Sequence, residues 1–485
     1  MIRTLLTSQK SHYYFFLCLS VLLFILLRIP SLIEPYWYGD EGIYAVIGQS
    51  LRDGNLLYRD IWDNKPPVLY LIYALVNGDL FWAKMLSLIA GTATVVVFFL
   101  LAKKIFKKMS AVITPTVLFV ILFGLPILEG NIANAENFML LPIVLSAYLI
   151  VSKPRVGWFF VGGILLSIAL MTKIVAIFDI AAFVTILFLQ FRLRSKSFFS
   201  TGKKLLKSHT THALFAGIVI FPISIGIFYL FTDSMADLLS STFTNNVGYV
   251  GYHNHLIFPL GLVVLKLLFL CVSLVCIYIF REKLTKQEII IFPWMVFTLF
   301  SMFFSDRPYT HYVLMGIIPF CLMIGSMMEK LRVVPLLMTI VICTVVYTYF
   351  PIYKKTTAYY QNYKEYIFGD KTFYQYVGFF DRNAVRDYEV AANIQQMLSP
   401  EDTIYYWSDS AQLYLLTGVK PISKYIVAYH AIMYEDAMST TIQQVSDASP
   451  QFIVLSKNNA IPQELLQGYT LKYSVERTKI YEKNN

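Results

Sequence analysis

Residues 38–67 read YGDEGIYAVIGQSLRDGNLLYRDIWDNKPP, a polar stretch between two long apolar runs. It opens with an adjacent acid pair, Asp40 and Glu41, and closes with Lys65 fixed ahead of Pro66 and Pro67. After Gly39 the chain can begin a helix, with Ile43, Tyr44, Ile47 and Leu51 on one face. Such a helix is expected to lie along a membrane surface, apolar face in the interface and polar face toward a cavity. Gly54 is expected to end it. The two prolines impose an extended approach and then start the next helix, which holds Lys65 at the surface. A point cation there suits a phosphate, although an interfacial lysine can also simply snorkel. The acid pair equally suits the positive end of a helix dipole.

The surroundings explain why these charges stand out. Hydrophobic residues make up 57% of the 485, and only 14% are charged, against roughly 25% in soluble domains. The pattern is that of a multi-span membrane protein, and spans are expected at 13–33, 82–102, 110–128, 137–152, 156–172, 174–191, 212–232, 258–280, 289–305, 309–328 and 333–351. The runs 137–152, 156–172 and 174–191 are short or barely separated, and a hairpin that does not fully cross is an alternative there. The net charge of +10 is not the footprint of nucleic-acid binding, because Lys and Arg cluster in short segments between alternate runs. Lys103, Lys104, Lys107 and Lys108, then Lys153 and Arg155, then Arg192 to Lys207 including Lys196, fall on one side. That bias predicts a cytoplasmic N-terminus and an outer C-terminal region in the plasma membrane. Cys18, Cys271, Cys276, Cys321 and Cys343 all lie in apolar runs, which argues against a disulfide framework or thiolate metal site.

Two domains are expected: a membrane part over 1–351, whose first outer loop spans 34–81, and a small soluble α/β unit over 352–485. In the latter, 388–398 has helical spacing, 403–407 reads as a strand followed by a helix from Asp409, and 435–445 as a helix. Residues 451–456 read as a strand, and 470–475 with 479–482 as a hairpin.

On this topology the outer side also holds Asp53, Asp60, Asp63, Glu129, Glu136, Lys173, Asp306, Arg307 and His311, with His253 and His255 in a Gly/Asn-rich loop. Glu136 opens a span, where a helix dipole accounts for an acid. Arg307 and His311 are donors at headgroup depth and suit a phosphate. Two histidines at i and i+2 are weak evidence for a metal, and none is assigned. Inside the spans, Asp179 and Lys266 are expected to face the bundle or to snorkel. The chain has no Walker A sequence, HExxH, GxSxG or dinucleotide fingerprint.

Taken jointly, Arg28-Ile29-Pro30, Tyr38-Gly39-Asp40-Glu41, Asp53-Gly54, Tyr58-Arg59-Asp60 and Asp63-Asn64-Lys65-Pro66-Pro67 resemble the first outer loop of GT-C glycosyltransferases. The likeness is to the protein O-mannosyltransferase and aminoarabinose (lipid A) transferase branch and related bacterial multi-span glycosyltransferases. Asn134-Ala135-Glu136, Met171-Thr172-Lys173 and the stretch from Arg307 to Tyr312 extend it over roughly 13–330. The resemblance implies a mainly α polytopic helical bundle of about eleven transmembrane helices with an extracytoplasmic C-terminal α/β domain. It implies sugar transfer from a polyprenyl-phosphate donor to a protein, lipid or glycan acceptor at the outer membrane face.

On that resemblance Asp40 is the base or acceptor contact, Glu41 its partner acid and Glu136 a further catalytic acid. Lys65, Arg307 and His311 are donor-phosphate ligands. Tyr44, Tyr58, Asp63 and Tyr309 are the candidates for the wall of the substrate cavity. The chemistry requires no cofactor beyond the lipid-linked sugar. Some GT-C branches use a divalent metal, so the resemblance leaves one open. The competing readings are a flippase for lipid-linked sugars, which would spread polar groups through mid-membrane depth, and a non-catalytic scaffold. Polar groups gathered on one side favour the enzyme.

Overall fold

The computed structural model describes residues 9–152, 155–193, 197–245, 262–305, 307–434, 436–456 and 461–484. Asp306, His253, His255, Lys153 and Lys196 lie outside them. The chain divides into two compact units. The first comprises Met1–Ile29, Leu86–Phe228 and Val247–Thr356, and the second Pro30–Met85, Tyr229–Asn246 and Thr357–Asn485. The first outer loop and the C-terminal region, which follow from different parts of the sequence, thus belong to one unit.

Among the described residues, eight helices are long and apolar enough to cross a membrane, from His12–Ile33 through Thr310–Glu329. Met109–Gly124, Val156–Thr172 and Val333–Tyr349 are shorter apolar helices. Among the described residues each expected apolar run is thus represented by a helix, although the start of the run 258–280 lies outside them, and the doubtful trio becomes Ala135–Ser152, Val156–Thr172 and Ile174–Arg192. Lys173 is extended between the last two, which gives the break that its sequence position announced. Within the first unit, Asp179 is buried and accepts a hydrogen bond from Trp294 Nε1 at 2.8 Å, so this intramembrane acid faces the bundle. All five cysteines are free thiols.

In the second unit the loop helix runs Gly39–Arg52 and stops where Gly54 takes φ +94°. Its residues from Glu41 to Gly48 are buried. Apolar side chains that a surface helix would bury in lipid headgroups are covered here by protein, namely the helix Val68–Leu75 and the C-terminal helix Gln412–Thr417. Gly48 permits the first of these approaches, since a Cβ there would come within 2.7 Å of the Tyr73 backbone. Val68–Leu75 exposes Leu71 and Leu75 on its other side, an apolar surface fit for lipid.

The C-terminal region adds helices Thr356–Ile367 and Phe373–Phe380, which its Tyr-rich sequence concealed, and Arg382–Gln395. A four-stranded sheet follows: β1 (Ile404–Trp407), β2 (Phe452–Leu455), β3 (Tyr469–Val475) and β4 (Thr478–Lys483). The order is β1-β2-β4-β3, with β1 and β2 parallel and the rest antiparallel. The helix expected from Asp409 begins at Gln412. The helix expected over 435–445 runs Ala437–Ala448.

Candidate active site

Consecutive residues of a helix point about 100° apart, and this separates the acid pair. Asp40 Oδ2 accepts a hydrogen bond from Tyr44 OH, one turn on, at 2.7 Å, and lies 3.8 Å from Lys65 Nζ. Lys65 Nζ is also 3.6 Å from Asp63 Oδ2 and 5.0 Å from the centre of the Tyr44 ring. The two ends of the opening stretch therefore meet. Glu41 turns the other way, its Oε1 3.1 Å from Lys84 Nζ, and Lys84 also bonds Glu34 Oε2 at 2.9 Å.

The backbone around Lys65 is held from several sides. Tyr58 sits at φ +72°, a left-handed conformation that costs a non-glycine residue energy. From there its hydroxyl donates to the Lys65 carbonyl at 2.6 Å. The Lys65 N–H donates to Tyr70 OH at 3.3 Å, and the Asn64 N–H to Asp63 Oδ1 at 2.7 Å. Burial, with Asp40 and Asp63 close by, keeps the Tyr44 hydroxyl well above its usual pKa. Burial does the same for Tyr58 and Tyr70. All three hydroxyls stay neutral at physiological pH, and those of Tyr44 and Tyr58 act as fixed donors. Exposure then distinguishes the two carboxylates, because the Asp63 side chain is 3% exposed and that of Asp40 34%. Asp40 is open to solvent, whereas Asp63 stands behind Lys65 as its buried counter-ion. Tyr44 and Tyr58 are likewise buried and stand behind the cluster rather than lining an open wall.

The Glu34–Lys84–Glu41 triad anchors the start of the loop helix. Glu34 also accepts from Tyr359 OH at 2.5 Å and Trp37 Nε1 at 3.0 Å. Lys84 is fully buried between its two carboxylates. Removing one member of such a set leaves uncompensated buried charge and costs about 3–5 kcal/mol. Lys84→Met is therefore expected to lower unfolding free energy by that order. A denaturation series in detergent that shows under about 1 kcal/mol contradicts the anchoring role. Sequence reasoning passed over Lys84 and Glu34. The available signal was a lysine a few residues inside an apolar run, where a charge is expensive unless paired.

In the first unit a second set of charges gathers. Glu136, buried in the first turn of Ala135–Ser152, is hydrogen-bonded by Lys173 Nζ, which also lies 4.5 Å from the centre of the Tyr312 ring. His311 Nδ1 is 2.9 Å from Glu129 Oε2, and its Nε2 is 3.8 Å from Glu136 Oε1. Tyr309 stacks on His311 at 5.5 Å and is partly exposed. Arg307 is half-buried, its N–H donating to Ser305 Oγ at 3.3 Å. His311 thus faces carboxylates with both ring nitrogens, a poorer setting for a phosphate than the sequence suggested.

Among the described residues, no group of three or more His, Cys, Asp and Glu side chains is arranged to hold a metal ion. In the Asp40–Asp63 pair, the Lys65 ammonium already stands where a bridging cation would sit.

Residues 63–238 match the family model described as dolichyl-phosphate-mannose-protein mannosyltransferase. Solved structures with a similar course include ArnT from Cupriavidus metallidurans bound to undecaprenyl phosphate. That likeness has a TM-score of 0.52 and 13% identity, and covers 98% of both chains. The archaeal oligosaccharyltransferase AglB from Archaeoglobus fulgidus, in complex with an inhibitory peptide and a dolichol-phosphate, gives 0.46 and 11%, over 92% of this chain and 69% of that one. An Archaeoglobus fulgidus oligosaccharyltransferase tethered to an acceptor peptide gives 0.43 and 11%, over 98% and 74%. A comparison with curated proteins returns no match. The likeness to ArnT shows the fold, and the family match falls on the segment that begins at Asp63. Over residues 63–238 the chain is thus similar to the dolichyl-phosphate-mannose-protein mannosyltransferase family, and it shares the fold of ArnT, with eight helices among the described residues long and apolar enough to cross a membrane.

Proposed function

We propose that the chain moves a sugar from a polyprenyl-phosphate-linked donor to a hydroxyl of a protein, lipid or cell-envelope glycan at the outer face of the plasma membrane. One observation carries this reading. An accessible carboxylate, Asp40, and a cation, Lys65, share a cluster with 3.8 Å between their charged atoms. The Lys/Arg bias along the chain supports a cytoplasmic N-terminus and an outer C-terminal region.

The step follows from the charges. Asp40 takes the proton of the acceptor hydroxyl as its oxygen bonds the anomeric carbon. The bond from that carbon to the phosphate oxygen breaks, and the electron pair leaves with the polyprenyl phosphate. Lys65 exchanges its contact with Asp40 for one with the departing phosphate, while buried Asp63 keeps it in place. A positioned base contributes about 10²–10⁴-fold, and a fixed cation stabilises the leaving charge. One direct displacement inverts the anomeric centre. Tyr44 and Tyr58 serve by holding Asp40 and the Lys65 backbone. Glu41 serves by anchoring the helix.

In the first unit, Arg307 is the better candidate for a phosphate, since Glu129 and Glu136 already face His311. Glu136, paired with Lys173, keeps its place as a candidate catalytic acid on the resemblance, and Tyr309 as a candidate cavity residue.

Deleting the gene and comparing cell-envelope glycans, glycolipids and glycoproteins by mass spectrometry tests the proposal. The expected result is loss of one sugar modification that a wild-type copy restores and an Asp40→Asn copy does not. Identical profiles with and without the gene contradict it.

A further inference from the structure

The second unit brings a residue of the C-terminal region against the back of the Asp63–Lys65 pair. The Trp62 N–H donates to the Lys424 carbonyl at 3.0 Å, and Gln412 Nε2 donates to the Tyr38 carbonyl at 3.1 Å. These contacts tie the outer loop to the segment that leads into the helix Ala428–Met433. That helix carries His430, whose side chain is 3% exposed. Its Nε2 lies 3.8 Å from Asp63 Oδ1. Its ring meets Trp62 edge to face at 4.8 Å and Tyr429 at 4.3 Å. Trp62 is itself fixed by Nε1 donating to Ser241 Oγ at 2.8 Å. The imidazole is thus wedged between aromatic rings and one carboxylate.

Burial pulls His430 down to about 4, against the opposing pull of Asp63. The ring is therefore neutral at physiological pH. Nδ1 has no hydrogen-bond partner among the described residues. A buried N–H without a partner is costly, so the surroundings favour the tautomer with its proton on Nε2, aimed at Asp63. A neutral ring there orients the carboxylate without cancelling its charge. Asp63 Oδ1 accepts the Asn64 N–H at 2.7 Å and faces His430 Nε2 at 3.8 Å, while Oδ2 lies 3.6 Å from Lys65 Nζ.

We propose that His430 is a positioning residue of the transfer site, acting through Asp63 to hold the Lys65 ammonium in place. The C-terminal region would then contribute to catalysis and not merely be appended to it. The inference rests on the reading of Lys65 as the ligand of the donor phosphate.

The test uses the full chain in nanodiscs, with two readouts. One is the reactivity of the Lys65 amine in competitive acylation followed by mass spectrometry. The other is binding of undecaprenyl phosphate. An ammonium pinned by a carboxylate acylates slowly, so His430→Phe is expected to raise Lys65 labelling about fivefold and weaken binding about tenfold. Unfolding temperature, followed in parallel, reports the fold. His430→Gln, which keeps a donor near the Nε2 position, is expected to stay within about threefold of wild type. Asp63→Asn is expected to label like His430→Phe, and the double variant to add less than about twofold, because the two act in series.

Wild-type labelling in His430→Phe overturns the inference, and so does an undiminished His430 effect in the Asp63→Asn background. Labelling that follows the expected pattern, in a protein that does not bind undecaprenyl phosphate, supports the positioning of Lys65 and removes its reading as a donor-phosphate ligand.

Discussion

Asp40→Asn is expected to lower kcat for sugar transfer by about 10²–10⁴-fold, the usual contribution of a positioned base. The amide keeps the shape of the carboxylate and can still accept the Tyr44 hydroxyl, which now lies 2.7 Å from Oδ2. What it loses is the capacity to take a proton. Asp40 is also partly exposed and lies outside the buried Glu34–Lys84–Glu41 anchor, so the fold should tolerate the change. Removing one of the two carboxylates beside Lys65 leaves its ammonium freer for a phosphate. Donor KM is therefore expected to hold or fall while kcat collapses. A steady-state comparison of purified proteins with a polyprenyl-phosphate sugar checks this, and wild-type kcat in Asp40→Asn rules out the base assignment. A variant that loses kcat and donor affinity together would place Asp40 in donor binding instead.

Lys65→Ala is expected to act mainly on the other substrate. A charge-assisted hydrogen bond is worth roughly 1.5–3 kcal/mol, so kcat/KM for the donor should fall by about 10–150-fold. Acceptor KM is expected to change little. The substitution also strips buried Asp63 of its counter-ion, which carries a stability cost. Binding and unfolding therefore need to be followed together. Lys65→Arg separates the two effects. It restores a positive charge against Asp63 but presents a planar fork where the cluster is built around a compact ammonium. Stability is expected to return with it, and donor use only partly. Unchanged donor kinetics in Lys65→Ala would show that the phosphate is held elsewhere.

The sequence made the membrane frame readable because the solvent imposes it. A spanning segment must be apolar over most of its length, and among the described residues the expected runs appear as eight helices long enough to span and three shorter apolar ones. Lys65 was readable for a similar reason, since two prolines restrict the chain after it. Other parts of the site were written less openly. Asp40 and Glu41 look like one pair in sequence, but helical rotation sends them to different partners. The loop helix has the apolar spacing of a surface helix, and that spacing is equally consistent with burial under Val68–Leu75 and Gln412–Thr417. Periodicity states which residues avoid water and not what covers them. Lys84 is hidden in an apolar run, and its meaning rests on Glu34, which carries no motif of its own. His430 was beyond reach because its partner, Asp63, comes from the far end of the chain. The fifth case is His311, whose two carboxylate neighbours, Glu129 and Glu136, come from one stretch far earlier in the sequence and change what the imidazole can bind.

The central claim is that Asp40 and Lys65 divide one reaction, proton acceptance on one side and the lipid phosphate on the other. Undecaprenyl phosphate binding to wild type, Asp40→Asn and Lys65→Ala in the same membrane mimetic tests that division most directly. The account predicts wild-type or tighter binding in Asp40→Asn and binding weakened at least about tenfold in Lys65→Ala. Equal binding by all three proteins, or a loss confined to Asp40→Asn, would contradict it.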